Sequence, residues 1–331
     1  MMFQTYARPC SARVPNNYVS AGEAKDDGPV PMIIDTDIGD DIDDAFCLTL
    51  AFKLHLANKV NILGVITSGK GSHQERAGLV LRLQRSVLRD ASIPIYMGSA
   101  PGDSKRNYMS CAVSGSFESF ESSVSSVVER IRAASKQVCV LCIGPLDNVR
   151  VLLDALQDPQ PIRLCLMGGS FYKSFDAQPP QIAEYNVRKN IENWRYVTSH
   201  TNALIVPLDV AGAARFKDWR ELLPTLLVDF QEMYTTWYKS VLRRDGVGSR
   251  ILAGTMSADS RPQVPGDVSS VMFDAVALCL ALHPSTSIIV RSAVEVTERG
   301  MTNMIDGAHK VSIALEWRDS SFFERWALES S

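Results

Sequence analysis

The stretch from Pro31 to Phe52 limits the folds open to this chain more than any other part of it. Pro31-Met32-Ile33-Ile34 is short and apolar, as a buried strand is, and Ala45 to Phe52 is apolar again and long enough for a buried helix. Between them stand Asp35, Asp37, Asp40, Asp41, Asp43 and Asp44, broken by Gly39. The acids occupy the place where a strand ends and a helix begins, which in an open α/β sheet is where ligands bind. Six carboxylates within ten residues repel one another unless a cation lies among them. Hard cations such as Ca²⁺ and Mg²⁺ take oxygen ligands, mostly from Asp and Glu. Gly39 lets the chain turn tightly between the two groups of acids. Asp43 or Asp44 can also serve as a helix N-cap, but a cap accounts for one acid of the cluster.

Two other acidic motifs fit less well. An EF-hand loop beginning at Asp35 needs Gly at its sixth position and Glu at its twelfth, which here are Asp40 and Phe46. A phosphohydrolase of the haloacid dehalogenase type also carries Asp-x-Asp after a strand and would use Asp35 as nucleophile. Gly39 stands where that pattern has Thr or Val.

The rest of the chain repeats the strand-then-helix pattern. Val60 to Thr67 reads as a strand ending in the loop from Ser68 to His73, and a helix follows from about Gln74 to Arg89. Ile93 to Met97 is a short strand, residues 100 to 117 are loop-like, and Ser123 to Ala134 is helical. Val138 to Ile143 is a strand that runs into Gly144-Pro145-Leu146-Asp147-Asn148. Arg163 to Met167 is another, ending in Gly168-Gly169. Such alternation predicts a single large α/β domain over residues 30–331, with a mainly parallel open sheet and helices on both faces. Four successive strand-end loops on one edge of that sheet then surround the acids. Gly69-Lys70-Gly71 is not a Walker loop, and Gly168-Gly169 lacks the dinucleotide fingerprint.

With 46% apolar and 21% charged residues, the chain has ordinary globular composition and ample material for a core. A formal net charge of −3 gives no basic footprint for nucleic acid. Seven cysteines, scattered in apolar contexts, point to reduced thiols in a cytoplasmic protein. Cys139 and Cys142 lie in a strand, where their side chains face opposite ways and cannot share a metal. No apolar run reaches the eighteen residues of a membrane span. Residues 1 to 29 are polar, lack the apolar core of a secretory signal, and are expected to be a disordered tail, with a weak organelle-targeting peptide as the other reading.

The motif Asp35-Thr36-Asp37-Ile38-Gly39, followed by Asp43-Asp44-Ala45, resembles the N-terminal signature of the inosine-uridine nucleoside hydrolases, in a variant with two extra residues before the Asp-Asp pair. Later stretches are similar in the same order: Ile143 to Asn148, Met167-Gly168-Gly169, Ala183-Glu184-Tyr185-Asn186, Phe273-Asp274-Ala275, and Arg299 to Thr302 with Asp306. The resemblance implies a nucleoside hydrolase fold with a Rossmann-like core and cleavage of an N-ribosidic bond with bound Ca²⁺. It implies metal ligation by Asp37, Asp44, Asp274 and the Ile143 carbonyl, with Asp37 as general base toward a coordinated water. Asp43, Glu184 and Asn186 are implied to hold ribose hydroxyls, Glu184 and Asn186 reading as two residues on one face of an extended segment, with Gln178 and Ser72 as weaker candidates. Asp35 is expected to fix the loop by hydrogen bonds. The partner implied is a small-molecule riboside, handled by a homodimer or homotetramer.

The chain departs from the family pattern where many members carry a His before the late Asp, to protonate the leaving base. Here that residue is Phe273. His73 is one substitute for the lost acid, and its other reading is an exposed helix-start residue. Trp237 and Tyr238 read first as core aromatics, with Trp237 also a candidate for stacking on the base. Residues 244 to 266 correspond to a lid in the family. The missing His keeps a second reading open, a non-catalytic relative that binds ribose or Ca²⁺.

Overall fold

The computed structural model describes residues 28–69, 71–89, 92–98, 108–215, 227–242 and 269–330. Strand β1 (Val30–Thr36) alternates its side chains between two apolar layers. Met32 and Ile34 enter one core and Ile33 the other, as the two-residue period of a strand requires. Helix α1 (Asp43–Leu56) follows, buried on nearly all sides, then β2 (Val60–Thr67), α2 (His73–Leu88) and β3 (Ile95–Met97). The sequence expectation began β3 at Ile93. Pro94, which has no N–H to donate, instead accepts at its carbonyl from Val65 N, 2.9 Å away, and residue-by-residue pairing starts at Ile95.

Then come β4 (Glu118–Ser119), α3 (Phe120–Ala133), β5 (Val138–Cys142), α4 (Asp147–Leu156) and β6 (Ile162–Met167). The chain continues through α5 (Tyr185–Lys189), α6 (Ile191–His200), β7 (Leu204–Val206), α7 (Leu208–Ala211) and α8 (Leu227–Leu242). It closes with α9 (Phe273–Leu282), β8 (Ser287–Val296), β9 (Thr302–Ile305), β10 (Val311–Trp317) and α10 (Phe322–Glu329).

Among the described residues the strands form one sheet in the order β4-β3-β2-β1-β5-β6-β7-β10-β8-β9. Pairing is parallel from β4 through β7 to β10, and antiparallel from β10 to β8 and from β8 to β9. The chain winds outward from β1 through β2, β3 and β4, then returns to the other side of β1 with β5. The strand order therefore reverses between β1 and β5, and such a switch point opens a crevice at the carboxyl ends of the strands. The acid loop after β1 and the Gly144-Pro145 loop after β5 meet there. Cys139 and Cys142 fall in opposite cores, and the six described cysteines are free and buried.

Helices α1 and α9 pack against each other on one face of the sheet. Both are apolar nearly all round, which suits a helix covered on every side. Each carries acids in its first turn, Asp43 and Asp44 in α1 and Asp274 in α9. Carboxylates are favoured at that end of a helix by its macrodipole and its unpaired N–H groups.

Candidate active site

The acid loop is held from several directions. Gly39 takes a left-handed φ of +109°, and a β-carbon there would come within 2.7 Å of Met109. Its N–H donates to the Tyr108 hydroxyl at 3.1 Å, and that hydroxyl donates to the Asp41 carbonyl at 2.7 Å. Thr36 Oγ1 accepts from Ile38 N at 3.1 Å and donates to Asp44. Asp35 accepts from Asn148 Nδ2 at 2.9 Å, tying the acid loop to the loop after β5. Burial pushes the Asp35 carboxyl up to about 7.

Arg76 of α2 lies beneath the loop, 0% exposed. Its guanidinium donates to the carbonyls of Asp37 and Ile38 and pairs with Asp40 at 3.1 Å. Neither Arg76 nor Tyr108 was singled out by sequence reasoning. Arg76 leaves a signal, since it shares the helical spacing of Leu79, Val80 and Leu83, so a charge stands in an apolar stripe. Tyr108 sits in a loop and leaves none.

Asp43, Asp44 and Asp274 are buried, and one carboxylate oxygen from each lies within 4.8 Å of the others. Burial, and then repulsion from neighbouring carboxylates, raises all three well above the usual carboxylate range. Asp37 is raised in the same way, by burial first and by Asp40 next, with the Arg76 charge opposing. Buried carboxylates this close are costly when ionised and satisfied by a cation. Their all-oxygen chemistry is that of a hard divalent ion. The structure thus brings together Asp44 and Asp274 and adds Asp43, which the resemblance had placed on the sugar.

Asp37 stands between the loops after β2 and β5. A β-carbon at Gly144 would lie 2.9 Å from Asp37 Oδ1 and 2.5 Å from Ser68 Oγ, so glycine is required for the loops to close on the acid. The Ile143 N–H donates to the Asp35 carbonyl at 2.8 Å, and the Ile143 carbonyl accepts from Asn186 Nδ2 at 3.3 Å. Asp37, Asp40, Gly69, Pro145, Asp147, Tyr185 and Lys189 line a small cleft beside the acid loop.

The sequence expectation of an extended segment at Glu184 and Asn186 is corrected. Glu184 is the N-cap of the short helix α5, and its carboxylate accepts from the N–H groups of Gly169, Asn186 and Val187 at 3.2, 2.9 and 3.1 Å. Burial raises its carboxyl despite these bonds. Asn186 lies in the helix and donates to the carbonyls of Ile143 and Met167. Both residues are buried beside the strand ends, at 2% and 5% exposure.

Ser72 caps α2 by accepting from Glu75 N at 3.3 Å, and His73 Nδ1 shares a hydrogen bond with Thr67 Oγ1 at 2.8 Å. Gln178 is exposed on a turn whose backbone closes with Ser174. Trp237 is 0% exposed and packs on Tyr234, 5.6 Å between ring centroids, so it has no free ring face for a base. Phe273 begins α9 and meets Phe175 edge-on at 6.0 Å. The segment expected to form a lid, 244–266, lies outside the described residues, as does the tail up to residue 27.

Fold and site together define a mainly parallel α/β protein with a buried carboxylate centre at the switch point of its sheet. The sequence profile of the inosine-uridine preferring nucleoside hydrolases matches residues 32–324. The chain belongs to that family, whose members are N-glycosidases acting on nucleosides. Among solved structures it is similar to a plant nucleoside hydrolase, at 16% identity and a TM-score of 0.67, over 91% of this chain and 98% of that one. It is also similar to the purine-preferring ribonucleoside hydrolase from Gardnerella vaginalis, at 16% identity and 0.66, over 91% and 97%. A third is the inosine-uridine preferring nucleoside hydrolase from Bacillus anthracis, at 14% identity and 0.65, over 91% and 99%. At these identities the likeness is one of fold. A comparison with curated protein sequences found no match. No helix among the described residues is long and apolar enough to cross a membrane.

Proposed function

We propose that this chain hydrolyses the N-glycosidic bond of a ribonucleoside or related riboside, giving ribose and free base, with Ca²⁺ as its metal. The observation that carries the reading is the buried carboxylate group of Asp43, Asp44 and Asp274 at the sheet's switch point, beside Asp37 and the cleft. Asp37, Asp44, Asp274 and the Ile143 carbonyl would hold the ion, with Asp43 close enough to join them. When bound, the ion supplies a Lewis acid that engages the sugar diol and makes water more acidic.

The chain's own groups do the rest. Asp37 lines the cleft and takes the proton of the attacking water as general base. Ionised beside the cation, it can accept that proton. Glu184 and Asn186, fixed by their backbone partners, would face the ribose hydroxyls with Asp43. As the bond breaks, the sugar ring gains positive charge, and the surrounding carboxylates stabilise it. Ser72, which caps α2, and the exposed Gln178 are the weaker candidates for contacts to the sugar.

A panel of ribosides assayed for free ribose, with and without chelator, tests it. Ribose should be released only with calcium, and Asp37→Asn should lower kcat by on the order of 10² to 10⁴. No release from any riboside, or an Asn variant at near wild-type rate, would reject the assignment. Phosphate release from simple esters instead would favour an Asp35 nucleophile.

A further inference from the structure

Arg76 donates to three acceptors of the acid loop at once. Nη1 reaches the Asp37 carbonyl and, at 2.7 Å, the Ile38 carbonyl, while Nη2 meets Asp40 Oδ1 at 3.1 Å. The planar fork of arginine suits such a set, and the single point charge of lysine cannot replace it. A cation this deeply buried is costly unless paired and hydrogen-bonded, so the loop and the guanidinium fix each other. The second oxygen of Asp40 accepts from the Tyr185 hydroxyl at 3.0 Å. Tyr185 is the first residue of α5 and stands between Glu184 and Asn186. One line of bonds therefore joins α2, the acid loop and the segment carrying the sugar-side groups.

We propose that Arg76, Asp40 and Tyr185 form a strut that shapes the acid loop for its cation and sets the sugar-binding segment at a fixed distance from it. The inference rests on the functional reading above. Arg76 and Asp40 are positioning residues for the metal centre, and Tyr185 positions Glu184 and Asn186 through their shared helix start. The two ends of the strut then have different consequences. Loosening the Arg76 end relaxes the backbone that follows Asp37 and weakens cation binding. Loosening the Tyr185 end leaves the loop in place and weakens the hold on the sugar.

The test compares wild type, Arg76→Lys, Asp40→Asn and Tyr185→Phe as full chains. Each is titrated with calcium chloride alone by calorimetry, then assayed on p-nitrophenyl riboside at saturating calcium. Arg76→Lys should weaken calcium about tenfold or more, the loss expected for a hydrogen bond to a charged group, with kcat recovering as calcium is raised. Tyr185→Phe should keep calcium affinity within about threefold and raise KM about tenfold, with kcat changed less. Asp40→Asn, which touches both links, should show both effects. If Arg76→Lys does not fold, the other two variants carry the test, since Asp40 and Tyr185 are themselves only partly buried. Variants that melt earlier yet keep wild-type calcium affinity and KM would show a merely structural role and overturn the proposal. Wild type that neither binds calcium nor cleaves any riboside would overturn the functional reading, and the strut with it.

Discussion

Phe273 stands directly before Asp274, at 5% exposure, with its ring against Phe175. A phenyl ring cannot donate a proton, so a base that leaves as a poor anion must be protonated by another group or depart unaided. Rates on p-nitrophenyl riboside, whose leaving group needs no acid, should exceed those on inosine or uridine by about 10² or more. Phe273→His should narrow that gap by speeding the natural nucleosides alone. Equal wild-type rates on both substrates, with His73→Ala slowing only inosine, would assign the acid to His73 instead. At this scale the sequence was informative about residues whose side-chain chemistry is unusual for their place. The six clustered acids and the missing His could be read directly. Tyr108 could not, because a loop tyrosine looks the same whether its hydroxyl meets water or, as here, the Gly39 N–H and the Asp41 carbonyl.

At the level of elements, the central strands and helices follow from patterns of apolar residues. β2 spans the residues expected of it, and α1 and α2 start within two residues of their expected positions. Helix α5 was not legible, because what starts it is a carboxylate that also reaches the N–H of Gly169 on a different loop. That shared role makes Glu184 sensitive in two ways. Glu184→Gln places an amide N–H₂ against a set of backbone donors, and should cost about 1 to 2 kcal/mol of stability, as loss of a helix cap does. The same change should weaken ribosides more than 2′-deoxyribosides, which already lack one hydroxyl contact. Thermal unfolding measures the first effect, and KM on matched riboside pairs the second. Equal losses on both sugars would mean that Glu184 is a cap and does not read the 2′-hydroxyl.

For the whole molecule, the buried carboxylates link folding to both pH and calcium. Asp35 titrates at about 7 when folded against 3.8 for an ordinary Asp, and Asp37, Asp43, Asp44 and Asp274 shift the same way. Between those values the folded chain binds more protons than the unfolded one. These groups therefore favour the fold at low pH, and that advantage is lost as pH rises through the folded pKa. A cation favours the ionised carboxylates and reverses the sign. The gap in Tm between calcium-loaded and chelated protein should accordingly widen from about pH 5 to about pH 8. At calcium a thousandfold above its Kd the stabilisation should reach about 4 kcal/mol. A gap independent of pH, measured by scanning calorimetry, would place the calcium away from these acids.

The sequence by itself determined the α/β class, the position of the acids at a strand-to-helix junction, and the oxygen-rich chemistry of the site. Those depend on residue type and on spacing along one element, which the chain carries locally. Spacing along the chain does not say which acids meet: the family resemblance paired Asp44 with Asp274, and the tertiary structure added Asp43 to them. Asp274 joins Asp43 and Asp44 because α9 packs against α1, more than two hundred residues away in the chain. Likewise Arg76 faces the acid loop, and Glu184 is a cap, because parallel strands deliver distant loops to one edge of the sheet. A long-range pairing of this kind is set by the packing of whole elements, and no local pattern encodes it.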